Sequence, residues 1–462
     1  MYTGKGAARL RRGEGTHRPD SEQETKMMET KLTLITRKAK EARKCKFNNL
    51  MHLINIESLR ECFYKLKRGK APGIDFATME DYESNLTINL EDLMDRMKRM
   101  SYRPQPARRV YISKAGGKQR ALGIPTVEDK LVQMAFTRIL EVIFETAFLD
   151  LSYGFRKGRS PHQALARVDY RLMHEPINVV LDADIKGFFD NVDQEWMKRF
   201  LEERISDRKF IRYILRMLRS GVMEEGVITH TGKGTPQGGV ISPILANIYL
   251  HYVLDLWFYH RVRKRIKGHA DMIRYCDDFI ILVEEESDAR QILQWLKERL
   301  NKFGLELSEI KTRIVRFGRK AWNDNDKGGP KLGTFNFLGL THYCSKSRKG
   351  LFKVGRRTEK KRLRRSMQNM KNWLKYNRNA LPLRELHGQM SIMLMGHYRY
   401  YGVSENTKQL QSFHHEARKL YYKWLNRRSQ RRSFTWESFD KYLRRHPLPK
   451  PKIYHDLYHL VF

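Results

Sequence analysis

The chain has 462 residues, of which 40% are hydrophobic and 31% are charged, so it is long enough for two or three domains with hydrophobic cores and does not have the composition of a disordered protein. Its formal net charge of +38 concentrates polyanions around it, which makes nucleic acid the expected partner and a generically basic surface the weaker explanation. No apolar run is long enough to span a bilayer, which argues against a membrane protein. The four cysteines include no CxxC pair, which argues against a zinc site and a disulfide framework.

The N-terminal part is predicted to be mainly helical after a polar start. Residues 1–20 show no pattern of a fixed fold and no signal peptide, and the acidic residues among the arginines argue against an organellar transit peptide. We therefore expect a cytoplasmic, bacterial protein. The apolar spacing predicts helices over 21–44, 56–69 and 90–100, with a break at Pro72.

Strands enter the pattern next. A turn with two glycines predicts a β-hairpin over 108–125, which a long amphipathic helix over 126–148 follows. Further along, the predicted order is strand 178–184, helix 194–205, glycine-rich turn and helix 234–258, hairpin 272–283, helix 286–304, and strands 305–318 and 335–345. The chain from about residue 50 to 350 is therefore expected to mix α and β elements.

The last quarter of the chain is predicted to be helical and strongly basic. Residues 341–462 hold 29 lysines and arginines against 7 acidic residues, a net of +22 and more than half of the total excess. Three helices are predicted over 358–377, 383–402 and 407–430, so residues 355–445 form an all-α module. Its charge makes this module a candidate for contacts with nucleic acid.

Two adjacent aspartates, Asp277 and Asp278, stand in the predicted hairpin "RYCDDFIIL", where their charges repel each other. Asp184 ends a predicted apolar strand 93 residues before Asp277. A polymerase holds two Mg²⁺ ions on such carboxylates, and the ions activate the primer 3′-OH and stabilise the charge on the transferred phosphoryl group. Three carboxylates at neighbouring strand ends therefore predict a two-metal site. The alternative is a pair of turn aspartates that cap a hairpin.

Six sequence blocks occur in a fixed order between about residues 60 and 345. They are "RALGIPTVEDKLVQ", "SYGFRKGRSPHQAL", "DIKGFFDNV", "GTPQGGVISPILANIYL", "YCDD" and "FNFLGL". Together they resemble the reverse transcriptases encoded by group II introns. Three C-terminal blocks, "GHYRYYGVSEN", "WLNRRSQRRSFTWESF" and "HPLPKPKIYH", resemble the maturase (thumb, or X) domain of the same family.

The resemblance implies a fold, a domain order and a function. The fold is α+β, a right-hand polymerase with fingers and a palm built on an antiparallel sheet, followed by an all-α thumb or maturase domain. The implied domains are a basic N-terminal extension (1–48), fingers and palm (49–350), a helical thumb/maturase domain (351–445) and a short basic C-terminal tail (446–462). The implied function is RNA-directed DNA polymerase, a nucleotidyltransferase, which also binds its intron RNA to promote mRNA splicing and retrohoming of the mobile element.

The same resemblance implies cofactors, partners and catalytic residues. Asp184, Asp277 and Asp278 match the catalytic, metal-binding carboxylates, and Ile185 accompanies them in the metal and nucleotide site. The metal is two Mg²⁺ ions, with Mn²⁺ able to substitute. The partners are group II intron RNA, an RNA template with a DNA primer or target DNA, and dNTPs, with no membrane and the oligomeric state left open.

Four further residues match positions that contact the incoming nucleotide in the family. Phe188 falls at the steric gate, where an aromatic ring lies against the sugar 2′ position and rejects ribonucleotides. Lys114 and Arg120 match residues that grip the triphosphate, and Gln237 matches one that lines the nucleotide pocket. Solvated hairpin charges are the alternative for Lys114 and Arg120.

Basic residues in two regions are expected to contact RNA. The candidates are Arg156, Lys157, Arg159, Arg362, Arg364, Arg365, Arg427, Arg428, Arg431 and Arg432. A basic surface loop is the alternative for the first three. Among the interleaved aromatic residues, Trp424 and Tyr400 are expected to pack in a helical core rather than to stack on bases.

Two departures from the family pattern have consequences. Cys276 stands where the common form has Ala, which is expected to preserve activity but to place a thiol near the primer terminus. The chain shows no paired cysteines of the family's HNH endonuclease, so we expect that it does not cut the second DNA strand. Two other functions remain open: an RNA-binding splicing factor with dispensable polymerase activity, and a domesticated group II-like reverse transcriptase used in DNA repair or phage defence.

Overall fold

The computed structural model describes residues 19–113, 119–224, 226–229, 232–234, 238–430 and 433–462, with side chains from residue 30 onward except at 113, 120 and 326. The helices are α1 (Pro19–Glu41), α2 (Ile56–Lys65), α3 (Met79–Ser84), α4 (Leu86–Lys98), α5 (Val127–Phe144), α6 (Pro161–His174), α7 (Phe188–Asn191), α8 (Gln194–Glu202), α9 (Arg208–Arg219), α10 (Ser242–Leu250), α11 (Arg263–Arg265), α12 (Glu286–Lys302), α13 (Arg319–Asp326), α14 (Lys360–Asn377), α15 (Leu383–Tyr401), α16 (Thr407–Leu425) and α17 (Trp436–Arg445). A 3₁₀ turn (Met51–Leu53) precedes α2, and two π-helical turns, His251–Asp255 and Phe258–Val262, connect α10 to α11. The strands are β1 (Ala107–Ser113), β2 (Gln119–Ile124), β3 (Val179–Ala183), β4 (Val222–Glu224), β5 (Val227–Thr229), β6 (Ala270–Tyr275), β7 (Asp278–Val283), β8 (Arg313–Arg316), β9 (Thr334–Phe337), β10 (Leu340–Lys346) and β11 (Phe352–Thr358).

The predicted hairpin lies in an N-terminal sheet with the strand order β2-β1-β4-β5. β1 and β2 are antiparallel, with Val110 opposite Leu122, and β1 also runs parallel to β4. Helix α5 follows directly and is capped by Thr126, whose hydroxyl accepts a hydrogen bond from the Asp129 amide (3.1 Å). The Asp129 carboxylate in turn accepts a hydrogen bond from the buried Tyr102 hydroxyl. These bonds fix the start of α5 against the segment that leads into β1.

The central sheet is antiparallel and has the order β6-β7-β3-β8. β3 lies between β7 and β8, and most of its residues are buried, which explains the apolar run of its sequence. Ala183 at the end of β3 pairs with Phe279 in β7, and Tyr275 pairs with Asp278 across the β6–β7 turn. The carboxyl end of β3 and the β6–β7 turn therefore lie at the same edge of the sheet.

A third, three-stranded sheet has the order β11-β10-β9 and precedes the helical region. β11 is antiparallel to β10, with Thr358 opposite Leu340. The predicted start of the helical domain at residue 351 therefore falls just before a strand, and the helices begin at Lys360. Buried and less buried residues alternate at the start of β11, as is typical of a strand. The basic composition of this region made it look like part of the helical domain.

The C-terminal helices surround their own hydrophobic core, in which Leu386, Leu394 and Phe439 are fully buried. The last segment, predicted as a separate tail over 446–462, packs back onto the rest of the chain. The Tyr454 amide donates to the Gly402 carbonyl (2.7 Å), and Leu457 joins the hydrophobic cluster around β6 and β7. This segment therefore connects the helical region to the central sheet.

The architecture confirms the predicted α+β class, with an antiparallel central sheet followed by a helical C-terminal region. None of the helices in the described part of the chain combines the length and the apolar character that crossing a membrane requires.

Candidate active site

Three carboxylates meet at the open edge of the central sheet. Asp184 follows the last residue of β3, Asp277 lies in the β6–β7 turn, and Asp278 begins β7. Because Ala183 pairs with Phe279, the antiparallel register sets Asp184 beside Asp278. The fold thus brings together the aspartates that the sequence separates by 93 residues.

The electrostatics of this edge show that the carboxylates affect one another. The pKa of Asp278 is raised to about 6, first because the cleft reduces its hydration and then because the negative charges of Asp277 and Asp184 oppose its ionisation. Lys311 partly compensates, with its Nζ 2.8 Å from Oδ2 of Asp184. Arg362 of α14 also acts to lower the pKa of Asp278, so the helical region contributes positive charge to the site.

The donor atoms of this cluster suit a hard divalent cation. Asp278 is exposed, and Asp184 and Asp277 are partly exposed, so carboxylate oxygens remain accessible from the cleft. Mg²⁺ prefers such oxygens and keeps several of its waters. Within the described residues, no group of three or more His, Cys, Asp or Glu side chains is arranged as a ready-made metal site. The case for a divalent cation therefore rests on the oxygen atoms of the three aspartates and on the repulsion between their charges.

A buried ion pair supports the aspartate turn from below. Arg274 and Asp255 are both fully buried and form two hydrogen bonds, at 2.7 Å (Nε to Oδ1) and 2.6 Å (Nη2 to Oδ2). Nη1 of Arg274 also donates to the carbonyl of Cys276 (2.9 Å) and to Oδ1 of Asn247 (3.1 Å). The guanidinium therefore ties the turn to the π-helical segment that ends at Asp255.

The conformation of Cys276 explains why a small residue occupies this position. Its φ is +59°, a left-handed conformation, and its side chain is buried. A Cβ on Gly154 would lie 2.4 Å from both the amide nitrogen and Sγ of Cys276, so the two backbones are in direct contact. Burial, followed by the charge of Asp277, raises the pKa of the thiol to about 12, so the thiol stays protonated at neutral pH.

Replacing Gly154 with Ala is expected to displace the aspartate turn. The new methyl group meets the Cys276 backbone, which cannot move without moving Asp277 and Asp278, and a shift of about 1 Å costs on the order of a hundredfold in rate. Steady-state primer extension, the activity that the sequence predicts, measures the loss. Gly396→Ala is the matched control, because a Cβ there meets nothing within 4 Å. Cys276→Ala should retain activity, and a fully active Gly154→Ala would contradict this account of the turn.

The other residues predicted at the metal and nucleotide site flank Asp184. Ile185 is buried and pairs with Leu307 in a single antiparallel bridge. Phe188 begins α7 directly after Gly187, whose φ is +54°. Its ring is 2% exposed and packs edge-on against Phe189. Phe188, the predicted gate residue, is therefore held by its neighbours, and little of its surface is open.

The remaining nucleotide-contacting candidates fall largely outside the described residues. Lys114 and Gln237 lie there entirely, and for Arg120 only the backbone is described, in β2 opposite Ile112. The neighbouring Gly238 has a φ of +112°, and a Cβ there would lie 2.6 Å from the Gly123 carbonyl oxygen. Gly238 therefore lies against β2, the strand that contains Arg120.

The first group of predicted RNA contacts divides by burial. Arg156 is buried, and its guanidinium binds Glu145 (2.7 Å) and the carbonyls of Leu149 (2.6 Å) and Ser152 (2.7 Å), an arrangement that fixes the loop and opposes contact with RNA. Lys157 is exposed. Arg159 pairs with Asp150 and covers the ring of Tyr153, so it is only partly available.

The second group lies on the helical region. Arg362, Arg364 and Arg365 are exposed on α14. Arg427 is exposed beside the ring of Trp424, and Arg428 donates to the Leu381 carbonyl (3.2 Å). Arg431 and Arg432 lie outside the described residues.

The predictions for the two aromatic residues have opposite outcomes. Trp424 is 5% exposed in the helical core, as expected. Tyr400 is 36% exposed, so its predicted place in the core is wrong. Its hydroxyl donates to the Leu338 carbonyl (3.1 Å), and burial raises its pKa to about 12, with smaller contributions from the acidic groups of Tyr401, Tyr275 and Asp278. Tyr400 therefore lies between the helical region and the aspartate turn.

Two supporting residues were missed in the sequence. Arg274 stands inside the "RYCDDFIIL" stretch. A cation within a strand that is otherwise apolar indicates a buried acidic partner, which here is Asp255. Lys311, the counter-charge of Asp184, offered no such signal, because it is one of many lysines in a basic chain.

Comparison with known proteins agrees with the family resemblance of the sequence blocks. Residues 112–342, half of the chain, match the family model described as reverse transcriptase (RNA-dependent DNA polymerase). Protein YkfC of Escherichia coli (strain K12) is 31% identical over 291 residues, which cover 55% of this chain and 76% of YkfC. The group II intron-encoded protein LtrA of Lactococcus lactis subsp. cremoris is 33% identical over 319 residues, which cover 56% of this chain and 52% of LtrA. Nuclear intron maturase 4, mitochondrial, of Arabidopsis thaliana is 26% identical over 196 residues, 41% of this chain and 22% of the maturase. The chain thus spans about three quarters of the length of YkfC and about half of that of LtrA.

Proposed function

The chain belongs to the reverse transcriptase family, the RNA-dependent DNA polymerases, among relatives encoded by group II introns, and we propose that it copies RNA into DNA at the Asp184, Asp277 and Asp278 site and also acts as a maturase. The observation that supports this most strongly is the register of β3 and β7, which sets Asp184 beside the Asp277–Asp278 turn at an accessible edge. Similarity over the family segment and the geometry of the carboxylates thus point to one chemistry.

In this proposal the three carboxylates hold two Mg²⁺ ions, with Mn²⁺ able to substitute. When bound, the ions supply the positive charge that activates the primer 3′-OH and stabilises the transferred phosphoryl group. Asp184, Asp277 and Asp278 provide oxygen ligands, and Ile185 places its backbone next to them. Lys311 balances the charge of Asp184 in the metal-free protein.

The nucleotide is gripped by the N-terminal sheet in the same proposal. Lys114 and Arg120 bind the triphosphate, and Gln237 lines the pocket, which agrees with the contact between Gly238 and β2. The template is RNA, and the strand that is extended is a DNA primer or target DNA.

The maturase function rests on the helical region and on the relatives. The region from 341 onward has a net charge of +22, and its exposed arginines on α14 suit RNA phosphates. We propose that the RNA it binds is a group II intron and that binding promotes splicing and retrohoming. Intron RNA sequence flanking the reading frame, and spliced product formed from that transcript with the purified protein, test this; a flank without a ribozyme would remove the maturase function.

Primer extension tests the polymerase directly. The purified chain with a primed RNA template, dNTPs and Mg²⁺ is expected to lengthen the primer, and chelation of the metal should stop it. Failure to extend at any salt concentration would overturn the polymerase proposal.

Phe188→Ala is expected to admit ribonucleotides, because a methyl group leaves room for a 2′-OH that the ring excludes. The ratio of kcat/KM for a dNTP over the matching rNTP should fall by at least about tenfold. Because Phe188 is also buried against Tyr249, the dNTP reaction itself should be followed to separate lost selectivity from lost folding. Unchanged discrimination in a variant that still extends with dNTPs would mean that the gate lies elsewhere.

Activity is also expected to fall as the pH is lowered below about 6, the pKa of Asp278 without metal, because protonation of Asp278 removes a charged metal ligand. Protons and metal compete for this carboxylate, so higher Mg²⁺ should move the midpoint to lower pH. Single-turnover extension across roughly pH 5 to 8 at two Mg²⁺ concentrations measures both effects. A midpoint that does not respond to Mg²⁺ would assign the titration to another group.

A further inference from the structure

A second basic concavity lies outside the catalytic cleft. It is a groove of about 1100 Å³ between α9, the C-terminal half of α8 and the segment that precedes β1. Seven of the residues that line it are lysines or arginines, and Glu202 is the one acidic residue among the described lining residues. None of the three catalytic aspartates belongs to this lining. The groove is therefore a separate, strongly positive surface.

Most of this charge comes from one face of α9. Its arginines stand at positions 208, 212, 216 and 219, a spacing of four, four and three residues that places all of them on the same side of the helix. The opposite face is buried and includes Phe210, Ile214 and Met217. Like charges at this spacing disfavour a helix, so the stripe is not explained by helix stability.

The charge of the groove is poorly compensated within the described part of the chain. Lys46, Arg103, Arg208 and Arg212 form no ion pair there and are all exposed. Pairs occur only at the margin, between Lys198 and Glu202 (4.0 Å) and between Arg219 and Glu195 (3.4 Å).

Arg216 shows the effect of this crowding. It is held by the carbonyls of Met100 (2.9 Å) and Tyr102 (3.1 Å), which fix it without neutralising it. Its pKa is lowered, first by loss of hydration and next by the positive charges of Arg103 and Arg212. The arginines thus repel one another in the absence of an anion.

The size and the arrangement of the groove favour a polymer over a small anion. Small-molecule sites typically measure roughly 300–1,000 Å³, and this open groove exceeds that range. Residues four apart on a helix have Cβ atoms about 5–6 Å apart, a distance comparable to that between successive phosphates of a strand. Guanidinium groups bind phosphate oxygens in a bidentate manner.

We propose that this groove, formed by the α9 arginine stripe together with Arg103 and Lys46, binds the phosphate backbone of an RNA segment that lies outside the polymerase cleft. The proposal rests on the proposed function, since a polymerase that copies a long structured RNA has a segment of that RNA outside its cleft. The groove thereby adds affinity for long RNA and contributes nothing to the chemistry of nucleotide addition.

The test is a triple variant of the full chain, Arg103→Gln with Arg208→Gln and Arg212→Gln, which leaves the anchored Arg216 in place. Its affinity for a long structured transcript is compared with that of wild type as a function of salt. Loss of three phosphate contacts is expected to weaken binding at least about tenfold and to reduce the slope of log K against log[salt] by about 2. Extension of a short RNA template and primer that fit within the cleft is expected to be unchanged.

The matched control removes the same charge elsewhere, with Lys267→Gln, Lys327→Gln and Lys331→Gln, three exposed lysines on other loops. The proposal is overturned if the control loses as much affinity as the groove variant, if the groove variant keeps its affinity for the transcript, or if it loses affinity for heparin or duplex DNA but not for RNA. Wild-type protein that fails to extend the short template would instead refute the proposed polymerase function, so the two failures are distinguishable.

Discussion

Replacing Asp278 with Asn is expected to reduce primer extension by at least about a thousandfold, the scale of losing a charged group that stabilises the transition state. Asn keeps the shape of the side chain but cannot offer a charged oxygen to a divalent cation. RNA binding should not weaken, because Asp278 is a negative group that contributes no attraction to phosphates.

The same substitution is expected to stabilise the metal-free protein at neutral pH. Asp278 has an ordinary pKa of 3.8 in the unfolded chain and about 6 in the fold, so the folded state binds more protons between these values. Stability therefore falls as the pH rises through this window and is lowest, as far as this group is concerned, above about pH 6. An uncharged Asn removes this repulsion, so a denaturant titration at neutral pH without metal should show a higher midpoint.

Asp182→Asn is the matched control, since Asp182 stands two residues before Asp184 on the same strand and pairs with Arg313 (3.1 Å). It should leave primer extension largely intact. An Asp278→Asn protein that still extends primers at a comparable rate would show that the catalytic carboxylates are others, and one that unfolds more easily would contradict the repulsion.

The aspartates proposed as catalytic could be predicted because two of them are adjacent in the sequence. Asp277 and Asp278 stand at the predicted turn of a hairpin, and the apolar run before Asp184 clearly predicts a buried strand. Their meeting at one sheet edge followed from strand pairing. The helical core likewise followed from periodicity, as the burial of Trp424 confirms.

What the sequence did not reveal depends on tertiary contacts. Arg156 has the same local sequence character as Lys157, and only the fold shows that Glu145 and two carbonyls enclose it. The α9 stripe was visible as arginines four, four and three residues apart, but without a predicted helix at 208–219 that spacing had no meaning. Charge composition alone therefore pointed to the C-terminal region and overlooked a second basic surface.

Removing one partner of the ion pair beneath the aspartate turn is expected to be the most destabilising single loss of charge in the site. Asp255→Ala should lower the free energy of unfolding by about 3–5 kcal/mol, because it leaves the buried Arg274 without a counter-charge. His251, 3.9 Å from Asp255, cannot take its place, because burial lowers the pKa of His251 to about 4 and the neutral ring supplies no negative charge. Chemical denaturation measures the loss. Glu286→Ala, which removes an exposed pair with Arg290, is the control and should cost less than about 1 kcal/mol.

A double variant separates stability from positioning. Arg274→Met with Asp255→Leu removes both buried charges, and such apolar replacements are typically neutral or stabilising by about 1–4 kcal/mol, so the fold should recover. Activity should not recover, because the carbonyl of Cys276 has lost the guanidinium that held it (2.9 Å) and the aspartate turn is free to shift. Primer extension that stays at least about tenfold below wild type in a stable protein would show that Arg274 positions the turn. Full activity in the double variant would show that the ion pair affects only the stability of the fold. The contact between Gly154 and Cys276 would then be sufficient to hold the aspartates in place.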